Sequence, residues 1–190
     1  SISDRELRNK NFIPTSNLKL LSKSDAIIIC LPTPLKKNSK VPDMTYIKSF
    51  SLLLKKFLRE DQIIILESTT YPGTTREFFL PILNKKGLLP GQNVFLIYSP
   101  EREDPGNKKH KIKDIPKIVS GYTNNCKKIG SLIYGKVAKE TVEVKSLEHA
   151  EMVKLYENIY RSINIGLANE MKIVCSKMGL DIFEIIKAAS

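Results

Sequence analysis

Three short apolar runs set the rhythm of the chain: DAIIICL at 25–31, QIIIL at 62–66 and VFLIY at 94–98. Each has strand length and little alternation, the pattern of strands buried on both faces. Between them the period changes from two to about 3.6. Tyr46, Ile47, Phe50, Leu53, Leu54, Phe57 and Leu58 recur at helical steps behind Asp43, an N-cap residue. Residues 74–86 predict a second helix, opened by the Pro72-Gly73 turn and closed by Gly87. A short strand at 117–120, a helix at 123–134 and a strand at 141–144 follow. Strand and helix alternating at this spacing predict an α/β fold with a parallel sheet and right-handed crossovers.

The last third reads differently. Met152, Tyr156, Ile159, Ile163, Leu167, Met171, Val174 and Met178 recur at three- and four-residue steps over 147–178, with no Pro between. That is one apolar stripe on a helix of roughly 45 to 50 Å, longer than a helix covering one sheet needs to be. Gly179 ends it, and Asp181 with Glu184 starts another helix. The expected organisation is 1–146 as the sheet domain and 147–190 as a central helical segment. The sheet domain reads as the latter half of a Rossmann-like parallel sheet, and the rest as the start of an all-α segment. Two features predict that such a sheet begins before residue 1. The strand at 25–31 lacks a neighbour on its far side, and no G-x-G-x-x-G phosphate cradle occurs.

Charge and cysteine content change this picture little. The net charge is +11, but the lysines lie in scattered doublets without interleaved aromatics, which fits a solvated surface rather than a nucleic-acid face. Cys30, Cys126 and Cys175 form no C-x-x-C pair, and His110 and His149 lack ligand partners, so neither a disulfide framework nor a metal site is expected. No run is long enough for a membrane span. The odd cysteine count fits a reducing, cytoplasmic compartment.

In an open α/β sheet the ligand crevice lies beyond the carboxyl ends of the strands. Three ends carry turn residues and possible chemistry: Pro32-Thr33-Pro34, Glu67 through Thr75, and Ser99-Pro100-Glu101-Arg102. On the long helix Glu151, Lys154, Asn158 and Arg161 form a polar line. It reads either as a solvated face with a Glu–Lys pair or as donors suited to an oxyanion.

These motifs occur in a fixed order, completed by Pro105-Gly106, by Lys117-Ile118-Val119 with Gly121, and by Ala150-Glu151-Met152-Val153-Lys154-Leu155 with Glu157, Asn158, Arg161, Asn164, Asn169 and Glu170. Together they resemble the UDP-glucose/GDP-mannose dehydrogenase family, closest to its UDP-N-acetylhexosamine 6-dehydrogenase branch. The resemblance implies an enzyme that oxidises a sugar C6 alcohol twice with NAD, the second time through a cysteine thioester. It implies a cofactor wall of Pro32, Thr33, Ser68 and Thr69, with Thr69 also near C6. Glu101 would handle protons or orient water, and Lys154 and Asn158 would steady the C6 oxygen. Glu101, Arg102, Lys154, Asn158 and Arg161 would face a UDP-sugar, with no nucleic acid, membrane or metal involved. The long helix would form a homodimer. The nucleophilic cysteine would lie past Ser190, Cys175 would be a buried inert thiol, and this chain alone would be inactive. Glu103 and Gly166 depart from the usual pattern. Another sugar-nucleotide or β-hydroxyacid dehydrogenase, or a non-catalytic dimerisation module, would share the half-sheet and long helix.

Overall fold

A computed structural model describes residues 12–102 and 112–189. Glu103, Pro105, Gly106 and His110, singled out above, lie outside them. A five-stranded sheet runs in the order β1 (Ala26–Ile29), β2 (Gln62–Leu66), β3 (Val94–Tyr98), β4 (Lys117–Gly121), β5 (Thr141–Glu143). The helices are α1 (Thr45–Leu54), α2 (Thr74–Asn84), α3 (Asn124–Tyr134), α4 (Leu147–Lys177) and α5 (Ile182–Ala189).

β1, β2 and β3 pair in parallel, as the apolar runs predict. Ile64, Leu66, Leu96 and Tyr98 face a core shared with Ile47 and Leu54 of α1, Phe79 and Leu83 of α2, and Leu147 and Ala150 of α4. Ile65, Ile97 and Val119 face the other way, onto Cys126 and Tyr134 of α3. The central strands are therefore covered on both sides. β1 is not: Ile27 and Ile29 are buried while Ile28 is 50% exposed. Register explains this correction, because Ile28 pairs with Ile65 and so lies on the α3 face. α3 packs on β3, β4 and β5, towards the opposite edge of the sheet from β1.

The all-parallel expectation also fails at one place. β4 runs antiparallel to β3, through Ile97 with Gly121 and Tyr98 with Ser120, and β5 is parallel to β4. A parallel neighbour needs a crossover, usually helical, to return the chain to its starting edge. The described parts of the β3–β4 connection hold only a 3-10 turn, Ile112–Asp114. The chain turns back beside β3 instead.

Helix starts follow local chemistry. Thr123 accepts from Cys126 N and Ser146 from His149 N, at 3.2 and 3.4 Å. Asp43 accepts from Thr45 N at 3.0 Å, one residue before the N-cap position of α1. α4 keeps only Leu147, Ala150, Glu151 and Cys175 buried. The predicted stripe from Met152 to Met178 lies 43% to 67% exposed. Among the described residues no helix is long and apolar enough to cross a membrane.

α2 and α4 are joined at the surface by Arg76 Nε and Glu148 Oε1, 2.8 Å apart. The Arg76 hydrogen bond, against some burial, holds the Glu148 carboxyl down to about 2 from an ordinary 4.5. A lowered carboxyl pKa gives stability that is present above about pH 4.5 and is lost as pH falls through about 2. Both side chains are more than a third or close to a third exposed, so the contribution is small and salt-sensitive. Glu148→Gln should flatten the acid limb of the melting temperature between those pH values, most visibly at low salt. An acid limb identical in the two proteins would remove the pair from the account.

Candidate functional site

The carboxyl ends of β1, β2 and β3 meet as the crevice argument requires. Thr33 Oγ1 donates to the Thr69 carbonyl at 2.7 Å, tying the loop after β1 to the loop after β2. Ser68 is buried, its hydroxyl donating to Ile29 O at 3.4 Å, while its own carbonyl accepts from Tyr98 OH at 3.2 Å. These bonds hold Thr69 half-buried at the rim, beside exposed Pro32. Pro32, Thr33, Ser68 and Thr69 thus form one ledge. The hydroxyls of Thr33 and Ser68 brace its backbone rather than pointing out as donors.

A second group gathers where the loop after β3 meets α4. Arg102, Lys154 and Arg161 line a cavity of about 400 Å³ with Glu157, Tyr160 and Asn164. Arg102 is engaged: Nη2 lies 2.5 Å from Glu157 Oε1, Nε donates to Glu157 Oε2 at 3.3 Å, and Nη1 donates to Pro116 O at 2.8 Å. Lys154 is half-buried, and burial moves its ammonium below the ordinary lysine value. Glu157 opposes that shift, Arg161 adds to it, and Glu101 and Arg102 act more weakly in opposite directions. Asn158, one turn on, is half-buried and does not line this cavity.

Glu101 faces an adjoining cavity of about 190 Å³, which shares Arg102 and adds Glu67, Lys117 and Tyr134. Lys117 Nζ lies 3.0 Å from Glu101 Oε2 and 3.5 Å from Glu67 Oε1. Its ammonium also stands 5.0 Å over the Tyr134 ring. Tyr134 OH donates to Glu67 Oε1, and Cys30 Sγ lies 3.9 Å from Glu67 Oε2. Burial first, then Glu67, push the Cys30 thiol pKa up, so this exposed thiol is not primed as a nucleophile.

Lys117 and Tyr134 were not among the predicted site residues, and Glu67 was named only as the start of a strand-end segment. For Lys117 the reversal of β4 is the reason: a parallel β4 would start at the far end of the sheet. Antiparallel pairing brings its first residue, Lys117, alongside Glu101 just beyond the end of β3. Glu151 was read as part of the polar line of α4. It is instead fully buried, accepting from Gly73 N at 2.5 Å and from Thr75 N and Oγ1 at 2.8 and 2.7 Å. Among the described residues no cluster of His, Cys, Asp and Glu is placed to hold a metal.

The site is therefore a half-crevice: a threonine ledge, a partly desolvated lysine flanked by arginines, and a carboxylate held by a second lysine. Two family profiles match this chain in succession: the NAD binding domain of the UDP-glucose/GDP-mannose dehydrogenase family over residues 2–138, and its central domain over 148–190. The chain belongs to the UDP-glucose/GDP-mannose dehydrogenase family. It is 40% identical over 190 residues to protein CapL of Staphylococcus aureus, covering 99% of this chain and 45% of that protein. It is 38% identical over 177 residues to a UDP-N-acetyl-D-glucosamine 6-dehydrogenase of Pseudomonas aeruginosa, covering 92% and 42%. A solved UDP-D-ManNAc dehydrogenase from Pyrococcus horikoshii superposes with a TM-score of 0.83 at 30% identity, covering 92% of this chain and 41% of that one. The chain thus spans under half the length of these family members. The expected cofactor, NAD, is that of the family's matched domain.

Proposed function

We propose that this chain supplies the cofactor ledge and part of the substrate floor of an NAD-dependent nucleotide-sugar 6-dehydrogenase. The substrate is a UDP-(N-acetyl)hexosamine or UDP-hexose, oxidised at C6 to the uronate. The observation that carries the reading is Lys154, half-buried in the cavity lined by Arg102, Arg161, Tyr160 and Asn164. A cationic pocket with an aromatic wall suits an anionic nucleotide sugar.

The ledge of Pro32, Thr33 and Thr69 at the ends of parallel strands fits the nicotinamide side of a dinucleotide, with its backbone braced from below. NAD, when bound, accepts the hydride that leaves C6. Lys154 meets the C6 oxygen: its lowered pKa makes the neutral amine more accessible, so that it can take the C6 hydroxyl proton as the hydride leaves, and the ammonium so formed donates to the aldehyde oxygen. Asn158 adds a second donor one turn away. Glu101, anchored by Lys117, orients water or carries protons at the rim. Arg161 faces the diphosphate, while Arg102 shapes the pocket through its pairing with Glu157.

The same reading divides the chain at 146/147, supported by the two profile matches falling on either side. It includes a homodimer through α4, supported by the exposed stripe. It places the enzyme in the cytoplasm, supported by three free thiols.

The test is a chimera in which this chain replaces the matching stretch of the Pseudomonas aeruginosa enzyme. NADH formation from UDP-N-acetylglucosamine or UDP-N-acetylmannosamine is expected. A folded chimera inactive on both, and on UDP-glucose, would overturn the reading.

A further inference from the structure

Helix α2 has an unusual beginning. Its N-cap, Gly73, has φ 102° and no side chain with which to cap. The first N–H groups of a helix need acceptors, and α3 and α4 obtain theirs from a Thr or Ser of their own chain segment. α2 obtains its acceptor from α4: both oxygens of Glu151 take the Gly73 and Thr75 amides and the Thr75 hydroxyl. Thr74, Thr75 and Glu151 are all sealed from solvent.

A local Ser or Asp would cap α2 without burying a carboxylate. Burial raises the Glu151 pKa, and the three donors only partly oppose that. What Glu151 adds over a local cap is a tie across the crevice. Gly73 follows Thr69 by four residues, and Lys154 follows Glu151 by one helical turn. One carboxylate therefore joins the ledge to the stretch of α4 that carries Lys154 and Asn158.

We infer that Glu151 is a positioning residue, whose bonds to Gly73 and Thr75 fix Lys154 and Asn158 relative to the Thr69 ledge. The inference rests on the reading above in taking Lys154 to act on the substrate.

Two measurements test it. In the 190-residue chain, Glu151→Gln replaces one acceptor oxygen by a donor. It should speed hydrogen exchange at the Gly73 and Thr75 amides about tenfold or more, while β2 and β3 stay protected. By NMR, Lys154 should titrate at higher pH than in the parent, because loosening α4 admits water beside its ammonium. A cap that served only to hold α2 together would leave that titration where it was. Thr75→Val deletes one donor and keeps both amides; it should move both readings the same way by less, and it serves if the Gln variant does not fold. In the chimera, Glu151→Gln should lower kcat about 100-fold with KM for NAD within about twofold of the parent. An unmoved Lys154 titration in the folded variants, or an unchanged kcat in an active chimera, overturns the inference. A moved titration beside a parent chimera that makes no NADH upholds the tie and overturns the catalytic reading instead.

Discussion

Replacing Lys154 by Met in the chimera is expected to lower NADH formation about 100- to 1,000-fold, the usual effect of removing one donor from a developing or departing oxyanion. Met keeps the length and apolar stem of lysine and removes only the ammonium. Stability should move the other way. Lys154 has a folded pKa below its unfolded one, chiefly through burial. Between those two values the unfolded chain binds more protons, so stability rises with pH across that window. At neutral pH the charged ammonium therefore costs stability, and Met removes that cost. The melting temperature at neutral pH should be equal to or above that of the parent. A lysine kept for structure would instead lose activity and stability together, and that outcome would remove Lys154 from the catalytic role. Gains of stability on deleting a site residue are expected where function requires an unfavourable environment.

What could be read from residues alone divides along physical lines. β1, β2 and β3 were legible because a run such as QIIIL is short, rich in β-branched residues and bounded by polar turn segments, which favours a buried strand over a helix. The α4 stripe was legible from its period, and the strand-end ledge from the rule that crevices form at carboxyl ends. Strand direction was not legible at β4, since KIVSG reads the same whether parallel or antiparallel to its neighbour. That one ambiguity hid Lys117, whose place beside Glu101 depends on the reversal. Glu151 was misread for a related reason. An E-x-x-K pair on a helix looks like a solvated couple, and its burial is decided by Gly73 and Thr75, distant in the chain. The position of Arg102 in the loop was legible, but its engagement by Glu157 was not. Period and local turn chemistry travel in the sequence; long-range pairing does not.

Gly121→Ala is the substitution expected to damage the fold most for the smallest chemical change. Gly121 ends β4 opposite Ile97, and its φ lies outside the left-handed region. Backbone freedom is not what it supplies; space is. A Cβ there would lie 2.3 Å from Lys127 N and 2.7 Å from Cys126 C and Cβ, in the first turn of α3. That turn is pinned: Thr123 caps it, Cys126 is buried, and Leu96 N donates to Cys126 Sγ at 3.4 Å. Relief requires α3 to lift from Ile97 and Val119, and α3 also carries the Tyr134 hydroxyl that meets Glu67. Overpacking against immovable backbone costs about 3 kcal/mol or more, a fall in melting temperature of roughly 6 to 12 °C for a chain of this size. The matched control is Gly166→Ala, where an added Cβ meets nothing within 4 Å on an exposed stretch of α4. There the helix should gain about 1 kcal/mol. Equal melting temperatures for the two variants would show that α3 can yield at Gly121. The glycine would then need an explanation other than the closeness of helix and strand. A split in the expected directions would tie the Lys117–Gly121 motif to the packing that brings Tyr134 to Glu67, and so to the wall of the site.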